Sequence, residues 1–133
     1  MKRLVLDAST IVEILLGTPR GRRAYPSVSS PEVDLHVPSL CDVEVASALR
    51  GLVRRGRLEA WRARGALEDY RDLPVMRHGH LMLLDRIFEL RGNFSCYDAA
   101  YVVLAEVLGA ALHSEDERLI GAVRAHTEVR VHR

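Results

Sequence analysis

A chain of 133 residues, 48% hydrophobic and 28% charged, has the size and composition of one globular domain, with a core that needs no disulfide or structural metal to fold. A formal net charge of +1 argues against a strongly basic tract made for polyanions, although Lys2 is the only lysine among the 19 Lys and Arg. The two cysteines, Cys41 and Cys96, make no disulfide framework, and no Cys/His spacing of a zinc site occurs.

Short apolar runs alternate with longer helical stretches, the pattern of a βα fold with a parallel sheet. Residues 3–6 read as a strand ending at Asp7, and 11–16 as a helix stopped by Gly17 and Pro19. Residues 20–29 are weakly helical, Arg-rich at the start and interrupted by Pro26. A short strand at 35–37 closes at Pro38. Helices follow at 40–55 and, after Gly56, at 58–70. A third strand is expected at 73–76 and a helix at 80–90, halting at Gly92. Residues 96–108 form the most apolar helix, ending at Gly109, and are followed by a strand at 110–113, a helix at 115–125 and a final strand at 129–131. The expectation is one α/β domain over 1–133, a three-layer α/β/α sandwich around a short parallel sheet. The N-terminus runs straight into a strand without a leader pattern, and no apolar stretch is long enough to span a bilayer, so a cytoplasmic location is expected.

The acids carry the chemistry. Four pairs match the capping box, in which a hydroxyl caps a helix and an acid three residues on reaches back: Thr10 with Glu13, Ser39 with Asp42, Ser95 with Asp98, and Ser114 with Glu117. That role accounts for Glu13, Asp42 and Glu117, leaves Asp98 open, and does not cover Asp7, Glu44 or Asp116. Asp7 and Asp116 follow strands, at the carboxyl ends where open α/β sheets collect ligands. Glu44 lies on a helix beside Leu40, Ser47, Ala48 and Gly51, a small-residue stripe suited to packing on the sheet, where an unpaired acid is costly. In a doubly wound sheet the four acids meet in one cleft. They cannot all stay ionised there without positive charge, and a hard divalent cation suits them better than the distant Lys2. Such a site suits phosphodiester chemistry.

The motifs resemble those of a PIN domain, and specifically a VapC-type toxin of a bacterial toxin–antitoxin pair. The resemblance rests on Leu-Val-Leu-Asp-Ala-Ser at 4–9, Asp-Val-Glu-Val-Ala-Ser-Ala-Leu-Arg at 42–50, Tyr-Asp-Ala-Ala-Tyr-Val-Val-Leu-Ala-Glu at 97–106, and His-Ser-Glu-Asp-Glu-Arg-Leu at 113–119. Each motif is weak alone; together, in this order, they are specific. The resemblance implies that Asp7, Glu44, Asp98 and Asp116 bind Mg2+ or Mn2+, with Ser9 and Ser114 in support. The family more often has threonine at the position of Ser114, and Glu115 leaves open which neighbouring acid faces the metal, Asp116 being preferred. It further implies endonucleolytic cutting of RNA, a homodimer, and a small antitoxin protein whose tail fills the acidic cleft.

Other residues have plainer readings. His78 and His80 fit a loop better than a metal site, and His113 an edge strand. Cys41 and Cys96, each close to a candidate acid, read as thiols packed as small hydrophobes. Arg50, Arg54 and Arg55, with Arg57, complement a helix C-terminus and equally suit RNA phosphates; Arg20, Arg22 and Arg23 have a similar claim. Trp61 and Tyr70 suit packing or an antitoxin groove. A haloacid-dehalogenase-type phosphatase needs an acid where Ser9 stands, and a receiver domain needs a late lysine that is absent. The competing class is a degenerate module that binds RNA or protein without cutting.

Overall fold

The computed structural model describes residues 2–132. Five parallel strands form one sheet: β1 (Lys2–Leu6), β2 (Val33–Pro38), β3 (Val75–His78), β4 (Ala111–His113) and β5 (Val131–His132), in the spatial order β3-β2-β1-β4-β5. The central strand β1 pairs Leu4 with Leu35 on one side and with Ala111 on the other. Leu4, Val5 and Leu6 are all buried, as expected of a parallel strand covered on both faces.

Seven helices connect the strands: α1 (Ala8–Leu16), α2 (Pro19–Val28), α3 (Cys41–Arg54), α4 (Ala60–Asp72), α5 (Leu84–Glu89), α6 (Cys96–Leu108) and α7 (Glu117–His126). The chain winds from β1 through β2 to β3, then returns past β1 to β4 and β5. Parallel crossovers are right-handed, so reversing the winding direction puts α1–α4 on one face and α5–α7 on the other. The three-layer α/β/α expectation therefore holds. The reversal also makes a switch point between β1 and β4, where a crevice opens at the carboxyl ends of the strands.

Local sequence explains the rest. Ala99 through Ala105 are buried without interruption, which makes α6 a central helix, apolar all round. Gly17 and Gly109 end α1 and α6 at φ of +64° and +62°, the left-handed conformation that favours glycine at a helix end. Gly21 brings α2 against α1: a Cβ there would stand 2.0 Å from the Glu13 carbonyl oxygen. The expected helix at 80–90 is broken into a 3-10 turn at Leu81–Leu83, α5, and another 3-10 turn at Leu90–Gly92.

Three of the four expected capping boxes are corrected. Asp7 caps α1 by accepting from the Thr10 amide, and Glu13 instead bonds the Thr18 hydroxyl. The Ser39 hydroxyl donates to the His78 carbonyl while Asp42 turns to Tyr70 and Arg77. Asp116, not Ser114, caps α7. Only Ser95 caps as expected, accepting from the Asp98 amide. In each failure the helix starts at a different residue from the one the hydroxyl suggests; Asp7 and Asp116 stand at two of those corners and take the cap, while Leu40 at the third leaves α3 without a side-chain cap.

Candidate functional site

The two acids at the switch point are also helix caps. Asp7, 6% exposed, leaves β1 and accepts from the Thr10 amide (2.9 Å) and the Ser9 hydroxyl (3.2 Å), both through Oδ1. Asp116 accepts from the Arg118 and Leu119 amides, again through Oδ1, at 2.9 and 3.3 Å. The buried Ser114 hydroxyl accepts from the Asp116 amide at 3.0 Å and so sets the corner. In both aspartates Oδ2 makes no hydrogen bond to the protein among the described residues. Capping thus fixes each carboxylate by one oxygen and leaves the other for a ligand.

Glu44 and Asp98 come from the first turns of α3 and α6. Cys41, Val45 and Leu49 are the buried residues of α3; of the stripe expected around Glu44, Leu40 and Ala48 pack against the core at its margin while Ser47 is exposed. Glu44 is partly buried and accepts from the Tyr101 hydroxyl at 2.6 Å. Burial raises the Glu44 pKa above the usual carboxylate range, and the charges of Asp98 and Asp7 raise it further, against the pull of the Tyr101 bond. Burial likewise raises the Asp98 pKa, with Asp116 and Asp7 adding to it and Arg118 opposing. Each acid therefore lies within electrostatic reach of at least one other, and Asp98 and Asp116 line one cavity together.

Asp98 feels Asp116, whereas Glu115 points toward His113, its Oε1 standing 3.9 Å from Nε2. This favours Asp116 over Glu115 as the member of the acid set. His113 is fully buried and contacts His132 through Nδ1 at 3.1 Å, and its Nε2 has no hydrogen-bond partner among the described residues. Burial, then His132, lowers its pKa, which keeps the ring neutral at pH 7. His78 bonds His36 at 2.9 Å, and His80 buries an unpartnered Nε2. Among the described residues, no three acids, histidines or cysteines close into a finished metal-ligand cluster.

The donor set fits a hard divalent cation nonetheless. The candidate ligands are all carboxylate or hydroxyl oxygens, two of the acids are penalised by burial and then by their neighbours' charge, and both capping aspartates keep an oxygen unused among the described residues. Open spacing suits an ion that keeps several waters in its shell, as magnesium does.

Arg50, Arg54 and Arg55 lie toward the far end of α3, roughly 9–17 Å along its axis from Glu44 at the usual helical rise, and Arg55 folds back beside Gly51. Cys41 is buried and Cys96 exposed; both are free. Tyr70 packs as expected, but Trp61 is 70% exposed and does not. Tyr101 went unassigned in the sequence, where it is one residue of an apolar helix; its spacing of three from Asp98 puts both on one face. Its hydroxyl finds Glu44 only because the starts of α3 and α6, from opposite faces, meet at the carboxyl edge of the sheet.

Residues 4–124 match the family model of the PIN domain. The chain is 41% identical over 128 residues to ribonuclease VapC9 of Mycobacterium tuberculosis, covering 96% of this chain and 97% of that one. Solved structures with the same fold include VapBC2 of Rickettsia felis bound to a promoter DNA fragment (TM-score 0.71, 10% identity, 98% and 97% of the two chains). Another is VapC20 of M. tuberculosis, described as a sarcin–ricin-loop-cleaving toxin (TM-score 0.67, 16% identity, 90% and 94%). With its fold, its acids and this similarity in agreement, the chain belongs to the PIN-domain family, among the VapC-type ribonucleases.

Proposed function

We propose that this protein is an endoribonuclease toxin of the VapC type, in which Asp7, Glu44, Asp98 and Asp116 hold Mg2+ or Mn2+ and an antitoxin protein of the VapB type silences it. The observation that supports this reading is the electrostatic coupling of four carboxylates carried by different elements near the switch point of the sheet, in a chain so similar to VapC ribonucleases. A divalent ion bound there supplies Lewis acidity to the phosphate and an acidified water as nucleophile.

The chain's own groups orient and neutralise. Ser9 and the Thr10 amide fix the Asp7 carboxylate, and Ser114 and the α7 amides fix Asp116. Tyr101 holds Glu44 by a charge-assisted bond that keeps one oxygen from rotating away. The raised pKa values of Glu44 and Asp98 reflect burial first and the neighbouring carboxylates second, and a cation favours the charged forms against both. Neutral His113 lies behind Glu115 and contributes no charge of its own.

The substrate is RNA with unpaired or looped nucleotides, a reading supported by the description of VapC20. The antitoxin reading draws on the VapBC2 complex. Arg50, Arg54 and Arg55 contact outlying phosphates, the chain acts in the cytoplasm as a homodimer, and residues 1–133 form one PIN domain. No helix among the described residues is long and apolar enough to cross a membrane.

The test is incubation of antitoxin-free protein with total bacterial RNA in Mg2+ or Mn2+, beside EDTA and Asp98→Asn controls. Discrete cuts that vanish with EDTA, and fall more than about a hundredfold in the mutant, support the reading. Equal RNA binding by both proteins without cuts in any metal favours the non-cutting module instead.

A further inference from the structure

Asp116 stands on a ridge between two cavities of different character. One, of about 370 Å3, is walled by Ser9, Glu13, Arg20, Glu115 and Glu117. The other, of about 410 Å3, lies between the starts of α6 and α7; it has Phe94 and Leu119 in its lining, and Asn93, Asp98 and Arg118 among its polar residues.

The charges of the two differ. Apart from Asp116, the first holds three glutamates against one arginine. The second holds one acid, Asp98, against Arg118. A polyanion leaving the acids by the first cavity meets net repulsion at short range, whereas the second is close to balanced and offers a guanidinium. Among the described residues the exposed Arg118 side chain makes no hydrogen bond or ion pair, and its charge reaches Asp98 only at longer range. The side-chain amide of exposed Asn93 likewise makes no hydrogen bond among the described residues, while Phe94 and Leu119 are buried. A two-way hydrogen-bonding amide and a phosphate-binding fork, over a floor where Phe94 and Leu119 show only their outer edges, form a combination that takes a base edge and its phosphate.

We infer that the cavity between Asn93, Phe94, Arg118 and Leu119 is a nucleotide subsite. In it a single-stranded ribonucleotide next to the scissile phosphate turns its base edge to Asn93, above the outer edges of Phe94 and Leu119, and gives its phosphate to Arg118. The RNA enters from the α6–α7 side and avoids the glutamate-lined cavity. The inference rests on the nuclease reading for its place beside the scissile phosphate, and it names what reads the base there.

The test uses Asp7→Asn protein, which binds without cutting, and fluorescein-labelled single-stranded hexamers of U, A, C or G. Arg118→Ala is expected to weaken all four by about tenfold and to reduce the salt slope by about one. Asn93→Ala is expected to change the order of preference among the four bases. Glu13→Gln, on the opposite wall, leaves binding equal or tighter. Unchanged affinity, salt slope and base order in both Arg118→Ala and Asn93→Ala overturn the subsite. Both replaced side chains are exposed, so folding is not at issue, and equal thermal midpoints establish that. Wild-type cutting in Mn2+ is run in parallel. If cutting is present and the variants bind like their parent, the subsite alone fails. If cutting is absent and the variants still lose binding, the nuclease reading fails and the subsite stands.

Discussion

Replacing Tyr101 by phenylalanine removes one oxygen from a side chain that is 2% exposed, and with it the 2.6 Å bond to Glu44. The shape of the core barely changes, so the effect is that of the hydroxyl's polar contacts, the Glu44 carboxylate first and the weaker Cys41 thiol beside it. Such a bond contributes about 1.5–3 kcal/mol, and its loss leaves the acceptor partly buried and short of a donor. For a chain of this length the thermal midpoint should fall by roughly 5–10 °C at neutral pH. The sign of the pH dependence follows from Glu44. Its folded pKa is already raised, and the Tyr101 bond holds that rise in check. Deleting the bond therefore costs most above the folded pKa, where the carboxylate is charged. The two proteins converge as the pH falls through that value and Glu44 protonates in both. Differential scanning fluorimetry across the acid range without metal measures this. A midpoint difference that is negligible at neutral pH, or that stays constant into the acid range, would refute the reasoning.

Gly21→Ala drives a methyl group into the Glu13 carbonyl and should destabilise the protein by about 3 kcal/mol or prevent folding, as read by urea denaturation. Asp42→Asn weakens the bonds from Tyr70 (2.5 Å) and Arg77 (2.8 Å), which tie α3 to α4 and β3. With that ion pair partly exposed, the expected cost is about 1 kcal/mol in a denaturant titration, with metal binding unchanged because Asp42 lies outside the acid set. The raised pKa values of Glu44 and Asp98 mean that, without metal, their ionisation opposes folding above those values. Thermal stability should therefore rise as the pH falls through those raised values toward the ordinary carboxylate pKa, and saturating Mg2+ should flatten that rise; a metal-free midpoint that only declines on acidification contradicts it.

The fold was legible because it rests on local signals. Periodicity placed all seven helices and five strands, and Gly17 and Gly109 marked two ends. Of the candidate site, the identity of the acids was legible but their double duty was not. Asp7 and Asp116 stand where strands turn into helices, so one carboxylate oxygen serves the backbone whatever the other does. A sequence shows several acceptors near such a corner and cannot choose among them, because the choice depends on where the last strand pairing falls. Tyr101 and the Asn93–Arg118 cavity were beyond reach for a related reason. Both arise where separate helices approach, α6 against α3 and α6 against α7.

The central claim is that the four acids hold one divalent site, and titration of the metal-free protein with Mn2+, followed by electron paramagnetic resonance, tests it most directly. The account predicts a saturable signal loss as free Mn2+ is captured, competed by Mg2+ and weakened more than about tenfold in Asp7→Asn, Asp98→Asn and Asp116→Asn alike. Capture that persists unchanged in all three variants, or no capture by the wild type, would contradict it.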